Sequence, residues 1–131
     1  MGSLLERKDR AYCSQESLKR YRDLVQKKKI FKTQASLFEL CAAIGIRDGE
    51  RKEFKDRAQL VQSYSIDADD ALALAVLEKH PDIAKEDILR VLEEYAEYGM
   101  AKLYRWIVDT GPRNVGDLPL INWLKLDLEE S

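Results

Sequence analysis

Lys27–Phe54 reads KKKIFKTQASLFELCAAIGIRDGERKEF: a lysine run, a strongly apolar stretch, then a mixed-charge run. The Thr33 hydroxyl is placed to accept from amides two or three residues on, so a helix starts there. Leu37, Phe38, Leu40, Cys41 and Ile44 then recur at helical spacing and give it a wide apolar stripe. Gly45 follows the stripe where a helix end favours positive φ, and Ile46 can fold back onto Cys41, so the spacing predicts a stop at Gly45. Arg47 to Asp56 is charged and contains the Asp48-Gly49 turn signal, which predicts an exposed loop anchored by Phe54.

Upstream, Ser14 to Lys28 reads as an amphipathic helix that Ser14 can cap or Ser17 can begin, with Leu18, Tyr21, Leu24 and Val25 on its apolar side. Residues 1–13 are expected to be flexible. Downstream, Ala58 to Ile66 alternates apolar and polar residues and allows one short extended segment. In IDADDALALAVLEKHPD, Asp67 reads as an N-cap, with Asp69 and Asp70 at the positive end of the helix dipole. Ala71 to Leu77 has no polar face, which predicts the most buried helix of the fold; Leu74→Ala would then cost about 2–5 kcal/mol.

Pro81 ends that helix, and Asp82 is expected to cap a long final one from Ile83 to Thr110. Ile88, Leu92, Tyr95, Gly99, Leu103 and Ile107 form its seam, with Leu89, Ala96 and Met100 beside it. Gly99 interrupts the seam, as a close helix crossing or a bend would require. The tail, 113–131, carries LPLINWL, whose Leu120, Ile121, Trp123 and Leu124 are expected to pack on the core or on a second copy; Gly99 is a further candidate interface position. The expected fold is all-α or mostly α, a compact single domain of about four helices.

At 131 residues and 45% hydrophobic content, the chain suits one domain with its own core. Net charge is only -2, but residues 1–66 hold 15 Lys/Arg against 9 Asp/Glu while residues 67–131 hold 7 against 15. A basic front half facing nucleic acid, complementary halves of a dimer contact, and an ordinary solvated surface all fit this asymmetry. Lys27, Lys28, Lys29 and Lys32, with Arg20 and Arg22 a turn or two earlier, are the residues placed to contact phosphates by charge. The same lysines also suit a helix C-terminus, and no base-reading helix follows.

Catalysis finds no foothold. His80 is the only histidine, Glu93, Glu94 and Glu97 read as a solvated helix surface, and no phosphate-binding glycine loop or nucleophile elbow occurs. The Asp67, Asp69, Asp70 cluster is explained by capping, so no metal or cofactor is expected. Cys13 and Cys41 lack a CxxC partner and read as reduced thiols, Cys41 buried and Cys13 incidental, in a cytoplasmic protein without a membrane span.

FKT at Phe31–Thr33, the AAIGIRDGER segment, DADDALALAVLE, and EEYAEYGM leading through Gly99 together resemble the Dnd-system-associated small proteins encoded beside DNA phosphorothioation genes. The resemblance runs from Lys27 to Leu103; Tyr98 stands where the family carries a second glycine. It implies a role beside a DNA-modification and defence system, with no assigned active site; the expected function is a non-catalytic accessory protein that acts by binding protein, DNA backbone or both. The competing expectation is a general interaction module or homodimeric adaptor with no nucleic-acid role.

Overall fold

A computed structural model of the chain describes residues 10–62, 65–67 and 70–110. Within them lie strand β1 (Arg10–Cys13), helix α1 (Gln15–Arg22) continued by a π-turn (Asp23–Lys27), helix α2 (Gln34–Asp48), strand β2 (Ala58–Gln62), helix α3 (Ala71–Lys79), a 3-10 turn (Lys85–Asp87) and helix α4 (Ile88–Thr110). The protein is mostly helical, as its periodicity predicts. No described helix is long and apolar enough to cross a membrane.

Helix α4 is the axis of the core. Its seam residues Ile88, Leu92, Tyr95, Leu103 and Ile107 are buried, as are Leu89, Ala96 and Met100 beside them. Against this seam α2 lays Leu37, Phe38, Cys41 and Ile44, α1 contributes Tyr21, and the π-turn contributes Leu24. The caps read from sequence are in place: Ser14 Oγ accepts from Ser17 N at 3.0 Å, and Thr33 Oγ1 from Ser36 N at 3.0 Å. Gly99 marks a crossing, not a bend, and it has a counterpart. A methyl group built on Gly99 would collide with the Cys41 carbonyl and lie 2.8 Å from Cys41 Cα; one built on Gly45 would meet the Tyr95 carbonyl and lie 2.8 Å from Tyr95 Cα. Because 45 faces 95 and 41 faces 99, the two helices run antiparallel with their backbones in contact, which only glycine permits.

That crossing corrects the expected stop at Gly45. Helix α2 runs on to Asp48 and ends at Gly49, whose φ of 69° is left-handed. Gly49 N donates to Ile46 O at 3.1 Å and Glu50 N to Gly45 O at 3.0 Å, the paired closure of a Schellman end. One glycine serves packing and the other serves termination; the sequence reading assigns termination to the first and a loop turn to the second.

Four further expectations are corrected. Arg10–Cys13, placed in a flexible segment, is a strand paired antiparallel with β2, with a bulge between Ala11 and Tyr12. Helix α3 is not the most buried element: Ala73 and Val76 face inward, while Leu74 is 55% exposed, because α3 lies against α2 and α4 with one side only. An all-apolar run has no polar face to say which side that is. Asp67 does cap α3, but from a distance. Asp70 occupies the cap position with φ 59°, and the buried Asp67 carboxylate reaches past it to accept from Leu72 N at 2.7 Å and Ala73 N at 2.9 Å. Helix α4 begins at Ile88, after the 3-10 turn, and Asp82 is exposed upstream of it.

Candidate functional site

The largest departure from the sequence reading lies on α4. Glu93, Glu94 and Glu97, expected on a solvated surface, are buried, with Glu93 only 1% exposed and Glu97 only 4%. Glu93 and Glu97 are buried because β1 and the start of α1 fold over them and supply donors, whereas Glu94 lies against Arg51 at 3.3 Å and Arg90 at 3.7 Å. Glu97 accepts from Ser14 N at 3.2 Å, from Ser17 Oγ at 2.8 Å, and from Ser14 Oγ. Glu93 Oε2 accepts from Tyr12 N at 2.9 Å. Four residues of helix rise about 6 Å and two residues of strand about 6.7 Å, so carboxylates one turn apart match alternate amides of an extended chain. The edge of β1 that β2 does not pair is thereby covered by side chains.

Beside this latch lies a recess of about 220 Å³ lined by Arg10, Tyr12, Arg57, Lys85, Glu86, Leu89, Arg90 and Glu93. Arg57 stacks its guanidinium 4.3 Å over the Tyr12 ring and brings Nη2 within 3.4 Å of Glu93 Oε1. Arg90 packs 4.8 Å over the Phe54 ring, donates Nη2 to Phe54 O at 2.9 Å and sets Nη1 3.7 Å from the same Glu93 oxygen. Neither approach makes a hydrogen bond: Arg90 Nη1 and Glu93 Oε1 are both buried and unpartnered among the described residues. Burial dominates the titration of Glu93 and raises it to about 7, although the Tyr12 amide, Arg57 and Arg90 all favour its charged form.

The sequence-predicted cations fall in one region but not in one state. Arg20 pairs with Glu16 at 2.8 Å and sits 5.3 Å over the Tyr104 ring. Lys28 pairs with Asp23 at 2.7 Å, and Tyr104 donates to the same carboxylate. Arg22, Lys27, Lys29 and Lys32 are exposed and make no ion pair among the described residues. The turn that presents them is sharp, with Lys29 at φ 54°. Gly99, a candidate interface position, is buried in the α2–α4 crossing instead. Leu120, Ile121, Trp123 and Leu124 lie outside the described residues.

Other reactive groups are quenched. Burial, reinforced by Glu97, Glu93 and Asp56, pushes the Cys13 thiol up to about 12, so Cys13 is a buried thiol and not an incidental one. Burial raises Cys41 further still. Both stay protonated and are poor nucleophiles. His80 closes α3 with Nε2 2.8 Å from Tyr95 Oη. Among the described residues no group of three or more His, Cys, Asp or Glu could hold a metal ion; Asp69 lies outside them. Sequence reasoning missed Glu93, Arg57 and Arg90 because the partner segments lie far apart in the chain; the signal available was the Glu93/Glu97 spacing on the apolar side of EEYAEYGM. The chain matches no protein-family model, no curated protein and no solved structure.

Proposed function

We propose that this chain is a non-catalytic accessory protein that binds an anionic partner through the basic turn between α1 and α2, and that the partner is the DNA backbone. The observation that carries this reading is the set Arg22, Lys27, Lys29 and Lys32, exposed from the end of α1 through the segment before α2 without intramolecular ion pairs among the described residues, while neighbouring Arg20 and Lys28 are neutralised. Such a surface contacts phosphates by counterion release and reads no sequence. The resemblance to Dnd-system-associated proteins supplies the setting: a cytoplasmic DNA phosphorothioation and defence complex whose other proteins are further partners. That setting rests on the quoted motifs alone.

A salt titration with random duplex DNA tests it. Affinity should fall steeply with salt and be lost in Lys27/Lys29/Lys32→Glu, a variant that spares the Asp23–Lys28 pair. Absence of binding at low salt ends the reading. A second reading, an adaptor that binds protein only, is favoured by one observation, the exposure of Leu74 on α3. Undiminished complex formation by the lysine variant would support it.

A further inference from the structure

We propose that the recess between β1 and α4 binds an oxyanion that carries a hydroxyl, inorganic phosphate or the singly protonated end of a phosphate monoester. Four cations, Arg10, Arg57, Lys85 and Arg90, line it against two carboxylates, so its net charge calls for an anion. The guanidiniums are prearranged: Arg57 is held on Tyr12, and Arg90 on Phe54. Planar guanidiniums present paired donors suited to a phosphoryl group.

Glu93 decides which anion. Its Oε1 is a buried acceptor with no hydrogen bond, flanked by Arg57 Nη2 at 3.4 Å and by Arg90 Nη1 at 3.7 Å, itself a buried donor with no hydrogen bond. Both atoms stay costly until paired. Of the groups an oxyanion carries, only a hydroxyl accepts from Nη1 and donates to Oε1 through a single oxygen, taking the place of a bridging water. The remaining phosphoryl oxygens then face Arg10, Arg57 and Lys85. A fully deprotonated oxyanion, by contrast, would set its negative oxygens against the carboxylate with no proton between them. The volume suits a small group: about 220 Å³ equals several waters at about 30 Å³ each. Sulfate at neutral pH has no hydroxyl, and neither does an internal phosphodiester of DNA. The recess is therefore separate in chemistry, and in position, from the lysine turn proposed for backbone contact.

Calorimetric titration of the full chain with inorganic phosphate, sulfate and dimethyl phosphate at pH 8.5, where Glu93 is charged and hydrogen phosphate keeps its hydroxyl, and at constant ionic strength tests the site. Phosphate should bind saturably, and the other two at least about tenfold more weakly, as expected where a buried acceptor would lose its donor. Glu93→Gln, whose amide donates to any oxyanion, should accept sulfate as well as phosphate. Lys85→Ala, in the exposed 3-10 turn, should weaken phosphate several-fold with unchanged circular dichroism and melting. Equal binding of phosphate and sulfate by the unsubstituted chain, no saturable phosphate response, or an unaffected Lys85→Ala would each overturn the proposal. Lys27/Lys29/Lys32→Glu should keep the phosphate preference, which separates failure of this site from failure of DNA contact.

Discussion

Helix α4 is held on two sides by opposite physical means. Toward α2 it presents Gly99 and receives Gly45, so that two backbones touch with no polar side chain between them. Toward β1 and the start of α1 it presents Glu93 and Glu97, and the contact is made of buried hydrogen bonds. The first contact depends on shape and tolerates no added atom. The second depends on satisfied polar groups and tolerates no lost acceptor. The two sides should therefore fail under different substitutions.

The largest effect is expected at the crossing. On an exposed helix, replacing glycine with alanine stabilises by about 1 kcal/mol. At Gly99 the new methyl meets the Cys41 backbone, and no flexible side chain can yield. Gly99→Ala should instead lose about 3 kcal/mol or more, read from the urea midpoint, and Gly45→Ala should move the same way. If Gly99→Ala is as stable as the parent, the helices do not cross there and the comparison collapses.

Next comes the latch. Glu97→Ala strands Ser14 N and the hydroxyls of Ser14 and Ser17 in a buried setting, which should cost about 2–3 kcal/mol in denaturant unfolding. Unlike the glycine variants, it should first expose Arg10–Arg22 to hydrogen exchange, with the α2–α4 core still protected. Uniform loss of protection would mean that the two sides do not act separately.

Glu93 sharpens the comparison through pH. Burial raises its pKa from the ordinary 4.5 to about 7 against the pull of Arg57 and Arg90, with Arg10, Lys85 and Glu86 also lining the recess. The folded state thus holds a proton that the unfolded chain releases. The stabilisation is complete below 4.5 and disappears as pH rises through about 7, a change of order 3 kcal/mol at 1.36 kcal/mol per unit. Glu93→Gln, which can still accept from Tyr12 N, should flatten this slope in equilibrium unfolding across the same range. A slope unchanged by the substitution would mean that Glu93 ionises freely.

The contrast also explains what could be read in advance. The apolar seam from Ile88 to Ile107, the caps at Ser14 and Thr33, and the anchoring by Phe54 are local or periodic signals, and all were legible. The close approach at Gly99 was legible because a glycine in a seam needs a reason. Its partner was not, because Gly45 satisfies two local rules at once and only the distant α4 backbone chooses between them. Glu93 and Glu97 looked solvated because carboxylates usually are; their donors lie some eighty positions away, in a strand too short to announce itself. The lysine turn was legible as a cluster, but which of its members are neutralised depends on side chains that many cations could reach, Glu16 taking Arg20 and Asp23, itself held by the distant Tyr104, taking Lys28.

The smallest effect separates burial from mere hydrophobicity. On α3, Leu74 and Val76 lie in the same unbroken apolar run, yet Val76 is fully buried and Leu74 is 55% exposed. Val76→Ala removes packed methyl groups and should cost about 2 kcal/mol. Leu74→Ala removes atoms already in water and introduces the best helix former, so the cost of about 2–5 kcal/mol read from sequence should shrink to within about 0.5 kcal/mol. Dilution then discriminates: a Leu74→Ala loss above 1 kcal/mol that vanishes at low protein concentration would place Leu74 in a contact between copies, because only an intermolecular contact is weakened by mass action.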